Sequence, residues 1–138
     1  MSKPKPDFLA ILGTFCDRHV DFIIVGGVAG VLQGAPISTF DLDVVHSREP
    51  GNLHRLLGAL NALGAHYRTP GGKDLRPQHS HLASTGHQLL MTEAGPLDLP
   101  GTIGKGHAYD DLVAQAIELE VGEGIKVHVL DLAALVRI

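Results

Sequence analysis

The sequence predicts an α/β (α+β) fold, a short mixed β-sheet backed by helices, in a single domain over residues 1–138. Three observations carry this. Short β-branched runs such as Phe22 to Val25 alternate with helical periodicity, most clearly in the stripe Leu53, Leu56, Leu57, Leu60 and Leu63. Seventeen glycines and eight prolines in 138 residues require many tight turns between short elements rather than a helical bundle. With 44% hydrophobic and 19% charged residues and no internal repeat, the chain can bury a core and does not read as disordered.

Taken in order, Asp7 follows Pro4 and Pro6 and can cap a first helix ending near His19, with Phe8, Ile11, Leu12, Phe15 and Cys16 on one face. Phe22 to Val25 is a continuous apolar run between Asp21 and Gly26, the pattern of a strand buried on both faces. Gly26-Gly27 breaks it, and Val28 to Gln33 reads as a short helix stopped by Gly34. After loop chemistry from Gly34 to Thr39, Phe40 to Val45 suggests a second strand with two acids at its start. The leucine stripe from Leu53 to Leu63 is a core-facing helix with Gly64 as its C′ residue. Thr69 to Arg76 reads as an exposed loop and a lid candidate. His81 to Ser84, His87 to Thr92 and Leu97-Asp98-Leu99 read as strands of a meander. Tyr109 to Val113 suggests one helical turn, and Ala116 to Val121 with Ile125 to Leu130 a hairpin through Gly122-Glu123-Gly124. Asp131 can cap a closing helix, whose apolar run to Ile138 is a candidate surface for a second copy.

Composition excludes several functions. A net charge of −4 rules out holding nucleic acid by overall positive charge, though a local basic patch could still guide a polyanion, and 4% aromatic residues without Trp argue against a platform for stacking bases. Cys16 stands alone, so neither an internal disulfide nor a Cys-based zinc site can form. No apolar run approaches the roughly 20 residues of a membrane span, and MSKPKPDF is no secretory signal, so a cytoplasmic protein without membrane contact is expected.

The chemistry concentrates in Gly26-Gly27 and Thr39-Phe40-Asp41-Leu42-Asp43. On a strand, side chains at i and i+2 share a side, so Asp41 and Asp43 project together while Leu42 and Val44 face the other layer. Close carboxylates repel, and a bound divalent cation is the usual remedy. Oxygen donors without cysteine suit Mg²⁺ or Mn²⁺. Asp98, set between Leu97 and Leu99, is a costly place for an isolated carboxylate and becomes the candidate third ligand. Three such groups on adjacent strands can hold two metals about 3.5 to 4 Å apart, as phosphoryl and nucleotidyl transfer require. Glycines at a strand-to-helix turn let backbone N–H groups approach phosphate oxygens. The nine histidines lack an HExxH pattern or a cysteine partner and read as surface or hydrogen-bonding residues, with His79 and His81 on one face of a short strand. The GGK at Gly71 to Lys73 lacks the preceding strand and following Ser/Thr of a P-loop.

Val25-Gly26-Gly27-Val28-Ala29, then Gly34-Ala35-Pro36, Thr39, Asp41-Leu42-Asp43 and Gly95-Pro96-Leu97-Asp98 resemble, in order, the minimal nucleotidyltransferases of the DNA polymerase beta superfamily. The resemblance is strongest to small bacterial and archaeal proteins related to abortive-infection and toxin–antitoxin nucleotidyltransferases. It implies a nucleotidyltransferase-like fold in which Gly26, Gly27 and Thr39 contact the nucleotide, Asp41, Asp43 and Asp98 bind Mg²⁺ or Mn²⁺, and Asp98 draws the acceptor's proton. The implied reaction moves a nucleoside monophosphate from an NTP to an RNA end, a protein hydroxyl or a small molecule, releasing pyrophosphate. This chain has Ile37 where relatives usually carry Arg and Phe40 where they often carry a basic residue, leaving Lys73, Arg76 and Lys105 as candidate cations for the triphosphate. The alternative function is a catalytically inactive module of the same fold that binds a nucleotide or a protein partner.

Overall fold

A computed structural model of the chain describes residues 7–33, 41–69, 71 and 75–137. Its centre is one seven-stranded mixed sheet in the order β3-β4-β5-β2-β1-β7-β6. The elements are α1 (Phe8–Asp17), β1 (Phe22–Val25), α2 (Gly26–Leu32), β2 (Leu42–His46), α3 (Pro50–Ala62), β3 (His66–Tyr67), α4 (His79–Ala83), β4 (Gln88–Thr92), β5 (Gly95–Leu99), α5 (Tyr109–Leu112), β6 (Ala116–Gly122), β7 (Ile125–Leu130) and α6 (Leu132–Arg137). β1 runs antiparallel to β2 and parallel to β7, β2 runs parallel to β5, and β3-β4-β5 and β6-β7 are antiparallel.

Each face of the sheet collects alternate residues of the same strands. Phe22 and Ile24 of β1, Leu42 and Val44 of β2, and Leu97 and Leu99 of β5 join the main core under α1 and α3. The intervening Ile23, Val25 and Val45 face the other way, into a smaller cluster with Leu112 of α5, Leu130 of β7 and Ala134 of α6. This period of two explains why all four residues of β1 are buried. It also sends Asp43, which lies between Leu42 and Val44, to the face opposite the main core.

The predicted helix cap at Asp7 forms, with Oδ1 accepting from the Ala10 N–H at 3.1 Å. α1 ends at Asp17, near His19 as expected, where the chain turns through His19 at a left-handed φ of 58°. α3 starts at Pro50, a first-turn residue whose missing N–H leaves no bond unmade, and is followed by the expected left-handed Gly64 at φ 64°. Asn52 is fully buried on α3 and braces the β1 and β2 ends: Oδ1 accepts from the Asp21 N–H at 2.7 Å, while Nδ2 donates to Ser47 O at 2.7 Å and to Asp21 O at 3.0 Å.

Two expectations are corrected. The chain from His81 to Ser84 is not a strand, so His79 and His81 do not share a strand face; His79–Ala83 forms α4. There the Gln78 N–H donates to His81 Nδ1 at 3.0 Å and the Leu82 N–H to Gln78 O at 3.2 Å, closing the backbone on itself around buried Leu82. α2 also begins at Gly26 itself rather than at Val28, so the glycine pair forms the helix's first turn. β3 has only two residues, too few for a periodic signal, and forms by pairing Tyr67 with Leu90 of β4. No helix among the described residues is long and apolar enough to cross a membrane.

Candidate active site

Strand register brings the predicted acids together. Val25 of β1 pairs with Asp43 of β2, Asp43 with Asp98 of β5, and Asp98 with Leu89 of β4, making one row across four strands. Neighbouring strands stand about 4.8 Å apart, and residues in one row of a sheet present their side chains to the same face. Asp43 and Asp98, 55 positions apart in the sequence, therefore meet side by side, each half-buried between fully packed neighbours.

Two carboxyl groups set this close disfavour both being ionised. The Asp43 carboxyl is accordingly pushed up to about 7. Burial is the main cause; the Asp98 charge and the hydrogen bond to it come next, then the charge of Asp41, while the Arg68 guanidinium acts in the opposite direction. Asp41 lies immediately before β2, half-buried, and reaches Asp43 through its field.

Gly26 closes the other side. Its φ of 71° is left-handed, and a Cβ at this position would run into Asp43 Oδ2, so both the turn and the close approach require glycine. Gly27 follows in the first turn of α2, half-buried. A cavity of about 350 Å³ lies over the row, with Gly26, Asp43, Asp98 and His87 on its polar side and Leu89, Ile103 and Leu135 among its apolar walls. Thr39, Ile37 and Phe40 lie outside the described residues, as does Lys73.

Sequence reasoning missed two residues here. Arg68, just after β3, forms an ion pair from Nη2 to Asp98 Oδ1, with the two side chains 25% and 20% exposed. Among the described residues it is the cation paired with a site carboxylate, whereas Arg76 and Lys105 are exposed and outside the cavity wall. His87, read from sequence with the other histidines as a surface or hydrogen-bonding residue, is exposed and also forms part of that wall. Nothing local marks Arg68, because its partner is 30 residues away and the pairing depends on β3 folding back on β4.

Asp41, Asp43 and Asp98 are oxygen donors, the ligand type that Mg²⁺ and Mn²⁺ take. Two carboxylates in register on adjacent strands, with the charge of Asp41 also acting on Asp43, concentrate negative charge that Mg²⁺ or Mn²⁺ would neutralise. Among the described residues, however, no three His, Cys, Asp or Glu side chains are grouped so as to hold an ion as they stand. Asp43 and Asp98 are joined by strand register, and Arg68 brings its positive charge to Asp98.

No family model matches the sequence, and no curated protein matches it in sequence. Among solved structures, the chain is similar to a Thermotoga maritima protein described as a "putative nucleotidyltransferase", with a TM-score of 0.62 and 15% identity over 94% of this chain and 78% of that one. At that identity the likeness concerns the arrangement of the backbone, and it establishes that this chain has a nucleotidyltransferase-like α/β fold, a seven-stranded sheet backed by helices.

Proposed function

We propose that the chain is a minimal nucleotidyltransferase of the DNA polymerase beta superfamily, which moves a nucleoside monophosphate from an NTP to an acceptor hydroxyl with release of pyrophosphate. The observation that carries this reading is the Asp43–Asp98 pair, in register on adjacent strands and set against the left-handed Gly26. An acceptor oxygen would attack the α-phosphorus, the bond to the β-bridging oxygen would break, and pyrophosphate would carry away the electron pair. Asp98 would take the acceptor's proton. Gly26 and Gly27 would let the triphosphate approach the backbone, with Thr39 beside it. Asp41, Asp43 and Asp98 would hold Mg²⁺ or Mn²⁺, which when bound neutralises charge on the phosphates and lowers the pKa of the attacking hydroxyl.

The test is transfer from α-labelled NTPs, with pyrophosphate release measured across RNA, protein and small-molecule acceptors. Asp43→Ala or Asp98→Ala should reduce the rate by about 10²–10³-fold while the protein stays folded. Single variants working at the wild-type rate would refute the assignment. A second reading, a nucleotide- or protein-binding module without transfer, is favoured by the Arg68–Asp98 pair, which gives Asp98 a positive partner without a metal. Calorimetry with Mn²⁺ and each NTP separates them, since the module binds nucleotide and releases no pyrophosphate with any acceptor.

A further inference from the structure

His46 is the last residue of β2, at the opposite end of the strand from Asp43. A second cavity, of about 260 Å³, lies there, lined by His46, Ser47, Arg48 and Glu49 and by Tyr109 and Asp110 of α5. His46 is 4% exposed, and its Nε2 bonds to Leu82 O at 2.8 Å. A carbonyl only accepts, so Nε2 carries the proton. Burial and the Arg48 charge hold the imidazole below its ordinary 6.5, which leaves Nδ1 as an acceptor at neutral pH. Among the described residues, neither that Nδ1 nor Arg48 Nη1 bonds to any group, although both atoms are buried. A buried donor and a buried acceptor left unmet are costly, and a ligand that meets both recovers that cost.

The two atoms need opposite partners: the Arg48 N–H an acceptor, the His46 Nδ1 a donor. Ser47 is already engaged, its Oγ accepting from the Glu49 N–H at 3.3 Å. Burial, then the charges of Asp21, Asp110 and Glu49, hold the Tyr109 hydroxyl above its ordinary 10, so it keeps its proton. Two carboxylates against one guanidinium in the lining disfavour an anion, and Arg48 opposes a cation. A hydroxyl both accepts and donates, so adjacent hydroxyls on one ring serve the guanidinium, the imidazole and the carboxylates together. The Tyr109 ring offers apolar surface to such a ring, and the volume lies below that of drug-sized sites. We propose that this cavity is a second ligand site, separate from the carboxylate row, which binds one sugar ring of a neutral ligand, one hydroxyl accepting from Arg48 Nη1 and a neighbouring hydroxyl donating to His46 Nδ1. The site stands whether or not the chain transfers nucleotides.

Nuclear magnetic resonance of the nitrogen-labelled full chain in EDTA tests it, following the His46 Nδ1 and Arg48 side-chain signals during titration with D-ribose, adenosine, 2′,3′-dideoxyadenosine and inorganic phosphate. Ribose or adenosine should move both signals saturably with a Kd of about 1 mM, while the dideoxy compound, which lacks the adjacent hydroxyls, leaves them in place. Ribose acting alone or with adenosine assigns a sugar ring as sufficient; adenosine acting without ribose assigns a nucleoside. Arg48→Met keeps the stem, removes the donor and should weaken binding about tenfold, with thermal melting as the check on folding. If that variant does not fold, the comparison of adenosine with its dideoxy analogue in wild type decides. Equal shifts with the dideoxy compound, shifts with phosphate in place of the sugars, or unchanged affinity in a folded Arg48→Met overturn the proposal. No shift with any of the four leaves the two atoms to ordered water and overturns it too.

Discussion

Asp43→Asn probes the raised Asp43 carboxyl directly, without nucleotide or metal. The fold holds this carboxyl at about 7 against an ordinary value of 3.8, and asparagine is a neutral replacement of the same shape that can still donate to Asp98. Because the folded pKa lies above the unfolded one, the group's contribution to stability is fully present below pH 3.8 and is lost as pH rises through about 7. At about 1.4 kcal/mol per pH unit, the full displacement has a ceiling of about 4 kcal/mol. Solvent around a half-buried group reduces this to about 2 kcal/mol. With an unfolding entropy of about 2.1 cal/mol/K per residue over 138 residues, that corresponds to about 7 °C in Tm. The assay is thermal denaturation followed by circular dichroism in EDTA from pH 4 to pH 8. Wild type should lose stability relative to Asp43→Asn across that range, with the variant about 7 °C higher at pH 8 and the two converging near pH 4. Parallel curves, or a variant less stable at pH 8, would refute the raised Asp43 carboxyl.

Four further outcomes follow from the geometry. Gly26→Ala forces a Cβ onto Asp43 Oδ2 at a left-handed residue, and should cost about 1–3 kcal/mol in urea denaturation. Asn52→Ala leaves the Asp21 N–H, Asp21 O and Ser47 O without their side-chain partner, and should cost about 2–4 kcal/mol by the same measurement. Leu56→Ala empties a fully buried position under the sheet, with an expected loss of about 2–5 kcal/mol in denaturant and a correct register at Asp43 in the molecules that remain folded. His46 is buried with Nε2 donating to Leu82 O at 2.8 Å, and burial holds its pKa below the ordinary 6.5. Its contribution to stability is therefore present above pH 6.5 and lost as pH falls, and His46→Gln should flatten that acidic limb of the stability curve.

The sequence by itself determined the strands at Phe22–Val25 and Ile125–Leu130, the leucine-faced helix and the cap at Asp7, because each is written in a local period or a local hydrogen bond. It also determined which way Asp43 and Leu42 face, since alternation along a strand is a property of the chain alone. The contact between Asp43 and Asp98 was decided by the tertiary structure, because it depends on which strands are neighbours and in what register. The same is true of Arg68, delivered by a two-residue strand too short to leave a pattern. At His79–Ala83 a local capping bond to Gln78 and the burial of one leucine outweighed the apparent strand alternation. Local elements follow from short-range sterics and periodicity, whereas the charge balance of the site follows from long-range packing, in which residues tens of positions apart are placed against one another by a shared core.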